Sequence, residues 1–402
     1  MMKTTLITRS LLLAGLLCSL PAAQAAGTWF EARNDAMGGT GVASSKYDAA
    51  PLINPALLTK ATPADDVSII LPAVGAQVSD PDNLQDGFDN VKNAWDNLES
   101  TSGSVNSASS ATELRKSLTD ISGHSGRAEA GVSGVIAVPN DTLPFAVVIK
   151  GWGQAKAGAV VSNSDLAYLD AAAAGLVQPD ATALNNMTSR AQGVAALVSE
   201  YGIALAHPFT LGGVPVSVGI TPKFQRVDTW NYNVAINNYN TSDFRNGDWK
   251  RSENGANVDL GFSADLTSQW TVGLTAQNLV ARSVDTREVN GIQDSFKIRP
   301  QTTLGTAWSN GAVTFAADVD VTPASGFASD EKRQYAGIGA ELNAWSWAQL
   351  RAGYRADIRN SDNNVVTAGI GISPFDVVHL DLTGMAGTDR TYGAVAQLSF
   401  TF

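Results

Sequence analysis

Cysteine is nearly absent: the single one in 402 residues is Cys18, and it lies in a segment that reads as a secretory leader. Lys3 and Arg9 precede the apolar run Leu11 to Leu17, and Ala23-Gln-Ala25 is a small-x-small cleavage site, so residues 1–25 are expected to be a Sec signal peptide. The context Gly15-Leu-Leu-Cys18 is too bulky for a lipoprotein box. A mature chain without cysteine excludes disulfides, thiolate metal sites and thiol redox chemistry. Histidine is almost as scarce, and His124, His207 and His379 are too scattered in sequence to suggest zinc. Asp80, Asp82, Asp86 and Asp89 do not have the spacing of a calcium loop. No metal or other cofactor is expected. Basic residues are in deficit: loss of the leader removes Lys3 and Arg9 and no acid, leaving 25 basic against 38 acidic residues, a net charge of −13. Direct nucleic-acid binding is therefore disfavoured. Long apolar runs are missing too. Past residue 25 nothing approaches the roughly 18 apolar residues of a spanning helix, so any membrane crossing must be made by strands in a closed barrel.

What the chain does have is alternation. It ends in Tyr392-Gly-Ala-Val-Ala-Gln-Leu-Ser-Phe-Thr-Phe402, with Tyr392, Ala394, Ala396, Leu398, Phe400 and Phe402 on one face and Gly393, Gln397, Ser399 and Thr401 on the other. A half-buried strand of a soluble sandwich would look the same, so the rest of the chain must decide. Period-2 segments bounded by turn residues fall near 66–78, 128–138, 143–152, 194–207, 214–227, 255–266, 269–279, 298–309, 312–321, 334–343, 346–356, 364–373, 376–385 and 392–402. The connections alternate in length. They are short at 139–142, 208–213, 267–268, 310–311, 344–345 and 373–374, and long at 79–127, 153–193, 228–254 and 280–297, with helical stretches expected at Val91 to Leu98 and Leu166 to Val177. Short periplasmic turns against longer outer loops are the pattern of outer-membrane barrels. The fold expected is all-β: a transmembrane antiparallel β-barrel of about 14 strands spanning 63–402.

Its two faces differ in chemistry. Val378, Leu380 and Leu382 oppose His379, Asp381 and Thr383; Leu350, Ala352 and Tyr354 oppose Gln349, Arg351 and Arg355. Val258, Leu260, Phe262 and Ala264 alternate with Asp259, Ser263 and Asp265, as Val313, Phe315, Ala317 and Val319 do with Asp318 and Asp320. An Arg or Lys on the lipid face near the midplane costs about 2–4 kcal/mol, so these charges are expected to line the lumen. Trp270, Trp308, Trp345 and Trp347 cluster at short turns, where an interfacial aromatic girdle belongs.

Residues 26–62 precede the first strand and are too small and too rich in Gly and Ala to fold alone. They are expected to form a plug inside the barrel. The stretch from Asn34 to Ala43 lacks the preceding strand and following Lys of a phosphate loop, so its glycines suit close backbone packing instead. Asn54-Pro55 reads as a turn. With Gly38-Gly39-x-Gly41 followed by Asn54-Pro55-Ala56, the segment resembles the hatch of the FadL/OmpP1/TodX family of hydrophobic-compound transporters, whose barrels have fourteen strands. The terminal strand closing on Phe402 is similar to the sorting strand read by the barrel-assembly machinery. Closer still, Arg33 to Ser45 and Leu71 to Asp80 resemble the FadL-related barrels named conjugal transfer protein TraF.

The resemblance implies a bacterial outer-membrane location and passive uptake of a hydrophobic or amphipathic small molecule past the plug. A conjugation-linked envelope component with a protein partner is the alternative it leaves open. An enzyme is not expected, because no serine motif supplies a nucleophile beside His379. Candidate lumen residues for a ligand are Glu341, Arg351, Arg355, His379 and Asp381; Arg351 and Arg355 would either hold an anionic headgroup or pair with Glu341 or Asp381. FadL-like transporters open sideways at a kink in the third strand. Gly151-Trp152-Gly153 marks either the matching place here, with the small apolar run Ala155 to Val161 beyond it, or simply the end of the strand and the start of the long loop.

Overall fold

The computed structural model describes residues 30–63, 65–238, 249–375, 377–388 and 390–402. The expected leader, Cys18 and the first residues of the expected plug lie outside these. Fourteen strands close into one antiparallel barrel: β1 (Ser68–Ser79), β2 (Ser125–Val138), β3 (Phe145–Val160), β4 (Arg190–Leu211), β5 (Val214–Ala235), β6 (Lys250–Asp265), β7 (Trp270–Gln277), β10 (Gln301–Ser309), β11 (Val313–Asp320), β13 (Tyr335–Trp345), β14 (Ala348–Asp357), β15 (Val365–Ile372), β16 (Val378–Gly387) and β17 (Thr391–Thr401). Each pairs with its neighbours in sequence, and β1 closes on β17 from Ser68 opposite Thr401 to Ser79 opposite Thr391. Closure leaves no unpaired edge, which is what a strand structure needs in hydrocarbon. Among the described residues no helix is long and apolar enough to cross a membrane.

The alternation read from the sequence is the alternation of the wall. Leu350, Tyr354, Leu380, Leu382 and Phe315 are exposed on the outside, while Arg351, Arg355, Asp381 and Asp318 are buried within. At the end of the barrel with short turns, where the interfacial girdle belongs, Trp345 and Trp347 stack at 5.8 Å and Trp308 stacks on Phe315 at 6.1 Å.

Three features depart from the expectation. First, β3 does not break at Gly151–Gly153. It runs to Val160 in unbroken register with both neighbours, Gly151 opposite Val132 and Ser199. The sequence shows a shorter strand because its outward residues there are Gly151, Gly153, Ala155 and Ala157, too small to present an apolar face, while Lys150, Trp152 and Gln154 hold the inward phase. The irregular ladder lies instead in β1, where Leu71 and Pro72 bulge between Ile70 and Ala73 against both β17 and β2; proline has no N–H to give either partner. Second, β4 and β5 reach further into the outer connections than expected, to Arg190 and Ala235, where the outer face no longer has to be apolar. Asp228, past the expected end of β5, faces outward 3.0 Å from Arg226. Third, the connections beyond β7 and β11 carry a separate three-stranded sheet, β8 (Arg282–Asp285), β9 (Ser295–Ile298) and β12 (Gly326–Phe327). Its strands are too short for a period to be legible.

Two outer connections build a helical cap: α3 (Leu84–Thr101) and α4 (Ser107–Ile121) from the first, α5 (Asn163–Ala173) and α6 (Ala181–Asn185) from the second. Leu84, Phe88, Val91, Trp95 and Leu98, spaced three and four apart, meet Leu114, Leu118 and Leu169 in one apolar cluster.

Candidate functional site: the plugged lumen

Residues 30–60 lie inside the barrel. Helix α1 (Ala32–Ala36) starts at Glu31, whose carboxylate accepts from Arg33 N (3.3 Å) and Asn34 N (2.7 Å), and ends where Gly38 and Gly39 take φ of +72° and +78°, values that favour glycine. Helix α2 (Ala50–Ile53) leads into a 3-10 helix (Pro55–Lys60) capped by Asn54. Helix α1 faces β14 to β17, and the 3-10 helix faces β4, β5 and β6.

The plug touches the wall where the wall has no side chains. A Cβ on Gly75 or Gly131 would run into the Phe30 ring, on Gly219 into the Pro55–Ala56 backbone, on Gly273 into Val42 O, and on Gly339 or Gly353 into Met37 and Gly38. These glycines occupy inward positions on β1, β2, β5, β7, β13 and β14, and together they form a smooth seat that lets two backbones meet. Side chains then fasten the plug. Asp318 accepts from Gly41 N (2.5 Å) and Val42 N (2.7 Å), Thr367 accepts from Gly38 N (3.0 Å), Thr383 donates to Ala32 O (2.6 Å), and Gln277 donates to Ile53 O (3.1 Å). Asn54 ties the two plug motifs to each other and to the wall, donating to Val42 O (2.7 Å) and Phe262 O (3.0 Å) while accepting from Ala56 N (3.1 Å).

Buried charge reinforces the seat. Arg33 forks onto Glu341 with contacts of 2.9 and 2.8 Å, Arg351 also reaches Glu341 at 2.7 Å, and the other side of Arg351 contacts Asp381. Thus Arg351, Glu341 and Asp381 form one network with the plug's own Arg33. Arg355 stands apart. It donates to Gln77 Oε1 (2.6 Å) and lies 5.3 Å above the Tyr335 ring, and its Nε has no partner among the described residues. His379 Nδ1 is 2.7 Å from Ser373 Oγ and lines, with Asp381, Lys46, Asp48 and Asp65, a polar cavity of about 340 Å³ below the plug. A second buried network, Lys150–Glu200 (2.8 Å), Lys223–Glu200 (3.2 Å) and Lys223–Asp259 (2.9 Å), is internal to the wall. Within the plug, burial pushes the Asp35 carboxyl up to about 7 against the pull of Arg355, and pushes Glu31 up to about 6 against its bond from Asn34 N. Sequence reasoning missed the glycine seat and the fasteners Thr367, Thr383 and Gln277. A glycine at the inward phase of strand after strand was the signal available for the seat.

Above the plug on the β3–β5 side the small sheet covers an apolar patch of the lumen wall. Trp152, Val198 and Val227 of the wall meet Val284, Phe296 and Phe327 of the sheet in one buried cluster, with Phe296 at 6.0 Å from Trp152 and edge-on to Phe327 at 5.2 Å.

Comparison with solved structures finds the same architecture. The toluene transporter TbuX of Ralstonia pickettii is 13% identical with a TM-score of 0.56, covering 93% of this chain and 99% of that one. The toluene transporter TodX of Pseudomonas putida is 12% identical with a TM-score of 0.51, over 95% and 98%. At that identity the likeness is one of fold. Comparison with curated proteins finds no match. Residues 51–320 match the family model described as "F plasmid transfer operon, TraF, protein". That match runs from the plug helix α2 through the end of β11, and by it this plugged fourteen-stranded barrel belongs to the TraF family.

Proposed function

We propose that the protein is an outer-membrane uptake channel for a hydrophobic or amphipathic small molecule, with residues 26–62 as its plug and 63–402 as its barrel after a Sec leader is removed. The observation that carries this reading is the seating of the plug. It rests on a wall stripped of side chains, below the packed aromatic cluster of the small sheet and above a polar cavity, so that a small displacement would open a path from the outer side of the plug to that cavity. Ligand would enter through the helical cap and leave past Asn54-Pro55-Ala56 as the segment around Gly38, Gly39 and Gly41 shifts. That the solved relatives of the fold are described as toluene transporters supports the chemical class. Arg351, Glu341 and Asp381 serve here as a clamp on the plug, while Arg355 and His379 are the wall groups placed to meet a polar end of the ligand. Side exit at Gly151-Trp152-Gly153 would need pairing in β3 to open, and the bulge at Leu71-Pro72 is the weaker point in the wall.

The test is uptake of radiolabelled toluene and a labelled medium-chain fatty acid by cells producing the protein or lacking it. Equal rates with correctly inserted protein would rule the reading out. The family description favours a second reading, a conjugation-linked envelope component that meets a protein partner through its loops. In that case deletion lowers mating frequency while uptake is unchanged.

A further inference from the structure

The sheet β8–β9–β12 shares no ladder with the barrel among the described residues, yet its side chains reach deep into the lumen. Its cross-strand row Val284–Phe296–Phe327 faces the wall's cross-strand row Trp152–Val198–Val227. This wall row is out of character with its strands, whose neighbouring inward residues are Lys150, Glu200, Lys223 and Gln225. The sheet is held by side chains: Thr229 Oγ1 donates to Asp285 O (3.2 Å), and Asn231 Nδ2 donates to Arg287 O (2.9 Å) and Ile292 O (2.8 Å). At the edge of the cluster Gln154 is buried. Its oxygen accepts from Arg333 (2.8 Å), but its Nε2 has no partner among the described residues and faces Gly326, where a Cβ would sit 3.3 Å from it. A buried donor left unpaired carries a desolvation penalty that a ligand acceptor would relieve.

Resting on the uptake reading, we propose that the β8–β9–β12 sheet is an internal stopper occupying an apolar ligand site against Trp152, and that Gln154 Nε2 selects ligands with one hydrogen-bond acceptor on an aromatic or aliphatic body. Phe296 and Phe327 fill the site in the resting protein; a ligand displaces them by swinging the sheet on its side-chain tethers.

Binding of acetophenone and of toluene to the full-length protein in detergent, followed by equilibrium dialysis, tests this. The lock Thr229→Cys plus Asp285→Cys, oxidised and freed of unreacted thiol, is expected to weaken both ligands at least about tenfold, with recovery on reduction. Gln154→Leu is expected to weaken acetophenone by about tenfold, the worth of one hydrogen bond, and toluene by less than about twofold. Locked protein that binds as well as unlocked overturns the stopper and leaves uptake untouched, since the ligand then sits elsewhere. Should the natural protein bind neither probe, Phe296→Leu thins the stopper without emptying the cluster. Acetophenone binding that appears in Phe296→Leu and is lost again with Gln154→Leu supports the site, whereas none, or binding indifferent to Gln154, overturns it. Uptake by cells reads the transport function separately.

Discussion

At the residue scale, function hangs on how Glu341 is shared. It balances Arg33 from the plug and Arg351 from the wall, all three buried, so removing it takes away the counter-ion of Arg33 and leaves Arg351 with Asp381 alone. Breaking a buried pair by deleting one partner costs about 3–5 kcal/mol. Glu341→Ala is therefore expected to lower stability by about that much in guanidinium unfolding, and adding Arg33→Leu should restore part of it by removing one orphaned charge. The seat makes a second residue-scale prediction. Gly353→Val would put its side chain into Met37 and Gly38, whereas Gly384, with nothing within 4 Å of a Cβ, faces open space. In planar bilayers Gly353→Val should conduct continuously, and Gly384→Ala should stay as closed as the natural protein. The placement of Arg351, Arg355 and Asp381 in the lumen was legible, because a charge on an alternating strand has only one tolerable side. That Arg33 would be the second partner of Glu341 was not legible, since nothing in the local period of a plug says how high in the barrel it sits.

Among the elements, α1 is where pH should act. Asp35 accepts from Glu31 N (3.0 Å), and Glu31 in turn caps the helix, so both carboxylates are held in buried positions. Burial raises them to about 7 and about 6 from ordinary values of 3.8 and 4.5. A carboxyl whose pKa is raised on folding contributes most stability when protonated, below its ordinary value, and loses it as pH rises through the raised one. The plug should therefore be seated more firmly at pH 5 than at pH 8. Closed-state lifetime in bilayers should lengthen on acidification, and Asp35→Asn should flatten the upper part of that dependence. At the other end of the chain, Phe402 closes the seam: its N–H donates to Val67 O (2.9 Å), and its carbonyl accepts from Asp66 N (2.7 Å). Deleting it should cut insertion into the outer membrane while export continues, read as a loss of the heat-modifiable band; normal insertion would show that sorting is read elsewhere. The fourteen strands were legible because each must show lipid an apolar face and the lumen a polar one. Where that demand lapses the sequence goes quiet, as in the small outward residues of β3 beyond Gly151 and in the short strands of the stopper sheet.

For the whole molecule, the two sides of the lumen are closed differently. The β3–β5 side is filled twice, by the 3-10 helix of the plug and, above it, by the sheet with Phe296 and Phe327, while α1, set by Arg33 and the glycines of β13 to β15, fills the side from β14 to β17. The wall networks do not depend on the plug. Lys150, Glu200, Lys223 and Asp259 pair among themselves, and Arg351 keeps both Glu341 and Asp381. Deleting residues 30–60 would uncover wall residues such as Ile70, Val135 and Val148, now covered by Leu52, Leu57 and Leu58. Each buried leucine is worth about 1.5–3 kcal/mol, a sum that a closed ladder of fourteen strands should survive in lipid. The deletion variant is therefore expected to insert, to keep its heat-modifiable band, and to open only the side facing β14 to β17. It should show a steady ion current in planar bilayers where the full chain is nearly silent. Because that side is lined by Arg351, Asp381 and Gln397, with Glu341 and Asp318 of the adjoining β13 and β11 beside them, that current should carry small ions and leave the Gln154-dependent binding of apolar ligands unchanged. A correctly inserted variant without current would mean that the helical cap, and not the plug, closes the barrel.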